Sequence, residues 1–339
     1  MRNSFRWSTA LAVSCSLQLL ALFAAAAFAA QPVEYSTGNW SPEQWGNHRA
    51  RVSVTEPGDA VWAHIPWRRR DAHPERKEII VIDAATGTRV TNVLRVDIRG
   101  PHGDLLFQPV TVPGEYHVYF MPFRQTGSWY FPTTEYLKPT DAADKDWTLK
   151  CQSLSDKIRQ GQTNGIARAT LVDLQAFDDF HRFDPMEVVA TPEEVAQLVA
   201  GHAENRLLVF PEDRTRPIRM SDALPLRWIE LGPASRFAGE ACRNEYYVFQ
   251  LGLFPSTTTV EDVVVAFSDL KTESGKVIPA SALCCFNLGG TDWLGRPLAK
   301  RVDVATGQVQ SLWIGVDIGE STEPAVYKGT IAVRGEGLA

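Results

Sequence analysis

The chain has 339 residues, of which 44% are apolar, and a formal charge of −6. That length exceeds one typical domain and suggests two. A mildly acidic balance with no basic block gives no electrostatic reason to bind nucleic acid.

Residues 1–29 read as a secretory signal peptide. Arg2 and Arg6 supply a basic start, an apolar run extends from about Ala10 to Phe28, and Ala27-Phe28-Ala29 offers a small-x-small exit. The run is long enough for an uncleaved membrane anchor to be weighed, and the small residues favour cleavage after Ala29. Cys15 follows Ala12-Val13-Ser14, a faint hint of lipid attachment, but the apolar stretch before it is short, and Cys15 is read as leaving with the signal. Removing 29 residues that hold two arginines and no acid leaves 310 residues with a charge of −8. No second apolar stretch of spanning length follows, so the expected location is secreted or periplasmic, with no membrane contact after cleavage.

From Val52 the texture is β. Glu78 to Ile82 is a buried-strand run, Asp83 to Gly87 turns the chain, and Arg89 to Val96 alternates. Leu105 to Val110 and Glu115 to Phe120 follow, divided by Pro113-Gly114, a pair suited to a turn. Thr126 to Asp156 is irregular and aromatic-rich (Trp129, Tyr130, Phe131, Tyr136, Trp147) and reads as a long insertion on the first sheet. Ala167 to Phe177 is a further strand. Thr191-Pro192-Glu193-Glu194 then gives a capping hydroxyl, a proline at the first helical position and acids in the first turn. Val195, Leu198 and Val199 supply one apolar face, so a short helix is expected to end near Gly201. Leu207 to Phe210 is a strand, and the charged link Pro211 to Pro217 marks a boundary near Thr215. Beyond it, Tyr246–Phe254, Val260–Phe267, Val277–Phe286, Val302–Val304, Val309–Ile318 and Val326–Val333 are six candidate strands. The predicted fold is all-β: two β-sandwich domains, 30–214 and 215–339, the second immunoglobulin-like, with one short helix before the boundary.

Standard catalytic patterns are missing from the sequence: no G-x-S-x-G elbow, no Walker loop, no G-x-G-x-x-G and no H-E-x-x-H. His64 and His73, nine apart around Trp67-Arg68-Arg69-Arg70, match no metal pattern, and no metal or other cofactor is expected. Asp178, Asp179, Asp184 and Glu187, with His181 among them, are the acids to weigh as a glycosidase pair or a calcium loop. They lack the ligand rhythm of calcium loops, and solvated loop charge explains them more simply. Glu212-Asp213-Arg214-Thr215-Arg216 reads as salt bridges fixing one domain on the other, with a sugar- or anion-contacting loop as the alternative.

Four cysteines remain after the signal: Cys151, Cys242, Cys284 and Cys285. They allow three pairings that sequence does not choose among. Cys284 and Cys285 alternate on a strand, so one of them, Cys285, is the candidate to face Cys242, and buried free thiols are an equal alternative. Of ten tryptophans, Trp62, Trp228 and Trp313 lie in apolar runs and read as core. Trp129 and Tyr130 lie in a loop-like region, where exposed rings can stack on the apolar C–H face of a sugar. They are the candidate carbohydrate contacts.

Several longer phrases carry a resemblance. They are Phe183-Asp184-Pro185-Met186-Glu187-Val188-Val189-Ala190-Thr191, Leu208-Val209-Phe210-Pro211-Glu212-Asp213-Arg214, Leu224-Pro225-Leu226-Arg227-Trp228, Tyr247-Val248-Phe249-Gln250-Leu251-Gly252, Gln310-Ser311-Leu312-Trp313-Ile314-Gly315-Val316 and Tyr327-Lys328-Gly329-Thr330-Ile331. With them, roughly Val61 to Val333 resembles the amino-terminal region of the family 123 glycoside hydrolases. The resemblance implies relation to β-N-acetylgalactosaminidases, in which the sugar's acetamide attacks the anomeric carbon and an adjacent Asp-Glu pair assists. In that family the pair lies in a barrel after the sandwich region. This sequence stops at Ala339, where that barrel is expected, and no catalytic residue carries over. The implied role is a non-catalytic region of a secreted glycoside hydrolase, whose partners are a glycan and a catalytic barrel domain or subunit. The alternative is a free-standing carbohydrate-binding or surface-adhesion protein, and a third reading is a small hydrolase using the Asp178–Glu187 loop.

Overall fold

The computed structural model describes residues 33–338. The signal-peptide reading of residues 1–29, and Cys15 with it, lies outside the described residues.

Period-2 patterning builds the first sheet. In the strand His48–Val54, Ala50, Val52 and Val54 are buried on one face while Arg49, Arg51 and Ser53 point to the other. Ile79–Asp83 is buried at all five positions: the apolar run Ile79–Ile82 requires it, and Asp83 is satisfied by the Ala85, Thr86 and Thr111 N–H groups. The sheet has nine strands. Arg89–Val90, Ile79–Asp83, Gly114–Phe120 and His48–Val54 lie side by side, followed by Arg168–Ala176, Val61–Ile65, Gly103–Phe107 and Val93–Ile98. Arg168–Ala176 joins the two arms. It runs antiparallel to His48–Val54, its start pairs in parallel with Val61–Ile65, and its end pairs in parallel with Tyr35–Thr37. One core draws on both arms, with Val52, Val61, Ile65, Phe107, Tyr116, Phe120 and Trp67 among its members.

The second sheet has four antiparallel strands, in the order Leu207–Asp213, Glu245–Pro255, Gln310–Ile318 and Leu283–Cys285. Its two faces carry separate cores. Phe249, Leu251, Leu253, Leu312 and Ile314 pack with Val260 and Val263, beside the ribbon Glu261–Phe267/Ile331–Glu336. Leu208, Phe210 and Phe254 pack with Trp228, Met186 and Leu224, under the helices Pro192–Gly201 and Leu226–Leu231. In each sheet a buried tryptophan lies against a glycine. A Cβ at Gly103 would stand 2.1 Å from the Trp67 ring, and one at Gly252 would stand 2.3 Å from Trp228.

The all-β reading stands. The helix at Thr191 has the expected form: Pro192–Gly201, with Thr191 and Glu194 closing a capping box. It is not the only helix. Pro42–Trp45, Leu226–Leu231 and, chiefly, Lys145–Arg159 are also helical, so part of the expected irregular insertion is a 15-residue helix. Its signal was present in the sequence: Asp144 caps Trp147, Lys157 and Arg159 end the last turn, and Trp147, Cys151, Leu154 and Ile158 share one face. That face lies on Trp62, Val96 and Leu106. Leu207–Asp213, placed in sequence before the link at Thr215, pairs along its whole length with Glu245–Pro255 and so belongs to the second sheet. Trp62 and Trp228 are buried as expected, but Trp313 is 37% exposed.

Candidate functional site

The strands Phe123–Ser128 and Phe131–Tyr136 form a hairpin with Trp129 and Tyr130 as its two-residue tip. Ser128 Oγ accepts the Phe131 N–H at 3.2 Å, closing the turn. Gly127 has φ +91°, and a Cβ there would meet the Phe131 carbonyl at 2.4 Å, so the bend needs glycine. The base is anchored. The Leu137 N–H donates to the Pro122 carbonyl, and the Glu78 N–H donates to the Leu137 carbonyl. Lys77 Nζ lies 4.4 Å from the centre of the Tyr136 ring and is itself paired with Asp71, which also holds Arg69. At the tip Trp129 is 91% exposed, Tyr130 83% and Phe131 81%. A shallow depression lined by Gln125, Thr126, Gly127, Ser128, Trp129 and Pro132 lies alongside. Three large rings held in water on an anchored ribbon can stack on an apolar ligand face.

Of the acids between Asp178 and Glu187, Asp178, Asp184 and Glu187 are engaged in internal contacts. Asp178 accepts both the backbone N–H and the ring Nδ1–H of His181, at 2.9 and 2.7 Å. Burial pushes its carboxyl up, but these bonds hold it below the usual range. Asp184 pairs with Arg219 at 3.1 Å and accepts the Met186 N–H, while Glu187 pairs with Arg70 at 3.1 Å and with Arg219 at 3.4 Å. Asp179 is exposed. Carboxylates fixed by guanidinium groups act as clamps and are poorly placed to donate a proton. The arginine run carries the clamp further: Arg68 pairs with both oxygens of Glu194 at 2.8 Å and donates to the Val189 carbonyl at 3.1 Å.

The charged link also looks inward, and within the second sheet. Buried Glu212 accepts from Trp228 Nε1 at 2.9 Å and from Arg227 at 3.2 Å, and Arg214 pairs with Glu245. Asp213 accepts the Tyr247 hydroxyl at 2.8 Å, and burial together with that bond pushes the phenol up to about 12. The four described cysteines are free thiols: Cys151 and Cys285 are buried, Cys242 is exposed, and no bond joins Cys242 to Cys285. Cys151 packs in the helix–sheet core. Cys284 Sγ lies 3.1 Å from the Tyr246 hydroxyl, and Tyr246 stands beside Phe286 with ring centres 5.9 Å apart. Burial and the thiol contact push the Tyr246 phenol up to about 12.

A fourth group was missed in the sequence. Asp97 and Asp104 face each other across the strands Val93–Ile98 and Gly103–Phe107, and His102 lies in the turn between them. His102 Nε2 is 3.5 Å from Asp97 and 3.6 Å from Asp104. The other Asp104 oxygen accepts from Trp62 Nε1 at 2.8 Å and from His64 Nδ1 at 2.9 Å. The Gly100-Pro101 turn between two apolar runs was the available signal. Reading His64 against His73 hid it, because the fold sets His64 beside His102 instead, with ring centres 5.3 Å apart.

Mostly strand, with two principal sheets and few helices, the molecule is an all-β protein. Residues 38–177 match the family described as glycoside hydrolase 123, N-terminal domain. Among solved structures, the chain is similar to a family 123 glycoside hydrolase from Clostridium perfringens, studied for glycolipid glycan hydrolysis. The identity is 18%, over 29% of this chain and 20% of that one, with a TM-score of 0.24, too slight a likeness to carry an argument. The aligned part thus spans a fifth of that solved chain. No curated protein matches the chain.

Proposed function

We propose that this chain is the non-catalytic amino-terminal region of a secreted glycoside hydrolase of the family 123 kind. It supports a catalytic barrel, as a following domain or a separate subunit, and touches glycan through Trp129 and Tyr130. The observation that carries this reading is the match of residues 38–177 to the amino-terminal domain of that family. The engagement of Asp184 and Glu187 by arginines supports a scaffolding role for the one loop that sequence offered as catalytic. Secretion rests on the basic start, apolar run and small-residue exit of residues 1–29. Among the described residues no helix is long and apolar enough to cross a membrane. Residues 30–214 and 215–339 are read as two β-sandwich domains, the second immunoglobulin-like, with Leu207–Asp213 exchanged into the second sheet. The barrel is assigned to the outer face around Tyr246 and Trp313, half-exposed rings on neighbouring strands, and Phe286, half-exposed in the turn just past Leu283–Cys285.

A free-standing carbohydrate-binding or adhesion protein is the second reading, favoured by the exposure of Trp129, Tyr130 and Phe131. Glycan-array binding of the chain alone, with glycans ending in N-acetylgalactosamine included, tests both. The expected result is binding that Trp129→Ala weakens about tenfold, the equivalent of roughly 1.4 kcal/mol, without change in the circular dichroism spectrum. Hydrolysis of N-acetylgalactosaminides by this chain alone overturns the non-catalytic assignment. Binding that Trp129→Ala and Tyr130→Ala leave unchanged overturns the hairpin contact.

A further inference from the structure

We propose that Asp97, His102 and Asp104 form a binding site for a divalent transition-metal ion of the zinc type, with His64 and Trp62 orienting Asp104. The strands create the site. Register sets the carboxylates of Asp97 and Asp104 directly opposite each other, a pairing of like charges that destabilises a sheet unless a cation lies between them. One ligand atom from each of Asp97, His102 and Asp104 lies within 4.8 Å of the others. The His102 Nε2 distances of 3.5 and 3.6 Å are too long for good hydrogen bonds. They are close to the spacing of about 3.4 Å between ligands held tetrahedrally about 2.0–2.1 Å from zinc.

The outer contacts suit a ligand carboxylate. Asp104 is buried, and one of its oxygens is fixed by the Trp62 and His64 N–H groups, leaving the other toward His102. Partners of this kind fix the direction and basicity of a metal ligand. An imidazole among the ligands selects zinc, nickel or iron over calcium and magnesium, which take oxygen alone. Asp97 and His102 are partly exposed, which gives the ion an entry path and leaves a coordination position for water. Among the described residues, Arg99 is a competing cation at the ligands: its guanidinium lies 2.8 Å from the same Asp97 oxygen that faces His102.

Titration calorimetry with zinc chloride tests the site. A Cys242→Ser/Cys284→Ser background removes the more accessible thiols, and cobalt(II) absorption reports whether sulfur is a ligand. The expected result is one saturable zinc site with a cobalt spectrum of nitrogen and oxygen ligands only. His102→Ala and Asp97→Asn should weaken it at least about tenfold, magnesium should not compete, and His73→Ala should have no effect. Arg99→Ala should tighten zinc binding by removing the competing guanidinium, an arm that does not depend on a ligand variant folding. No saturable binding, binding indifferent to His102→Ala, or an Arg99→Ala variant that binds no tighter would each overturn the proposal.

Discussion

Asp173 shows how one polar residue can hold a sheet together. Its side chain is 3% exposed, yet it accepts from Arg51 Nε at 2.7 Å, Arg51 Nη2 at 3.0 Å and Ser36 Oγ at 2.6 Å. It thus ties three strands together on the face away from the core. Burial pushes its carboxyl up, but the Arg51 and Ser36 bonds win and hold it below the ordinary value of 3.8. A depressed folded value means that the contribution is present above the unfolded value and disappears as pH falls through the folded one. Asp173→Asn is therefore expected to cost about 3 kcal/mol near pH 7. Urea titrations of variant and wild type should converge as the pH drops below the ordinary carboxylate range. The same residue marks a limit of the sequence: Leu171-Val172-Asp173-Leu174 reads as a strand, but nothing local reveals that Asp173 faces an arginine more than a hundred residues away. Trp313 fails for a related reason. Its apolar neighbours made it look like core, but on a strand each neighbour points to the opposite face.

The elements that could be read from sequence were those whose signals are local. The helix Pro192–Gly201 announces itself through a cap, a proline and two acids within four residues, and Thr191 Oγ1 accepts the Glu194 N–H at 3.2 Å as that pattern demands. Thr191→Ala should cost about 1 kcal/mol in equilibrium unfolding. Glu194→Gln should keep the cap, since glutamine also closes a capping box, while losing the Arg68 pair. The helix Lys145–Arg159 was hidden among aromatic residues whose flanking run forms a hairpin, so a switch of period from 2 to 3.6 within about ten residues read as irregularity. Val277–Phe286 misled in the other direction. One apolar run became two short strands around a 3-10 turn, because Pro279 cannot continue a ladder. For the candidate site, the hairpin tip was legible because bulky rings in a turn have no core to enter. For the Asp97–His102–Asp104 group the Gly100-Pro101 turn signals only the hairpin, and the cluster itself exists only once two strands are in register.

At the scale of the whole molecule, the arginine run Arg68–Arg70 reaches from the first sheet to the segment that leads into the second. Arg68 grips Glu194 and the Val189 carbonyl, while Arg70 grips Glu187 and donates to the Arg219 carbonyl at 3.1 Å. That segment is in turn laced to Leu224 and Leu226 by backbone hydrogen bonds. Coupling of this kind should make the two sheets unfold together. In calorimetry an Arg68→Ala/Arg70→Ala double variant is expected to split one transition into two, and a single unsplit transition in that variant would show that the cores, not the arginines, couple the halves. The strand Arg168–Ala176 has a different consequence, one of time. It is the last strand of the first sheet to be synthesised, and it is the seam along which His48–Val54, Val61–Ile65 and Tyr35–Thr37 all close. During synthesis the earliest strands must wait, unpaired on that side, until more than a hundred further residues have left the ribosome. A nascent chain with so late a seam stays pliable over the interval in which holdase chaperones and other handling factors act on it.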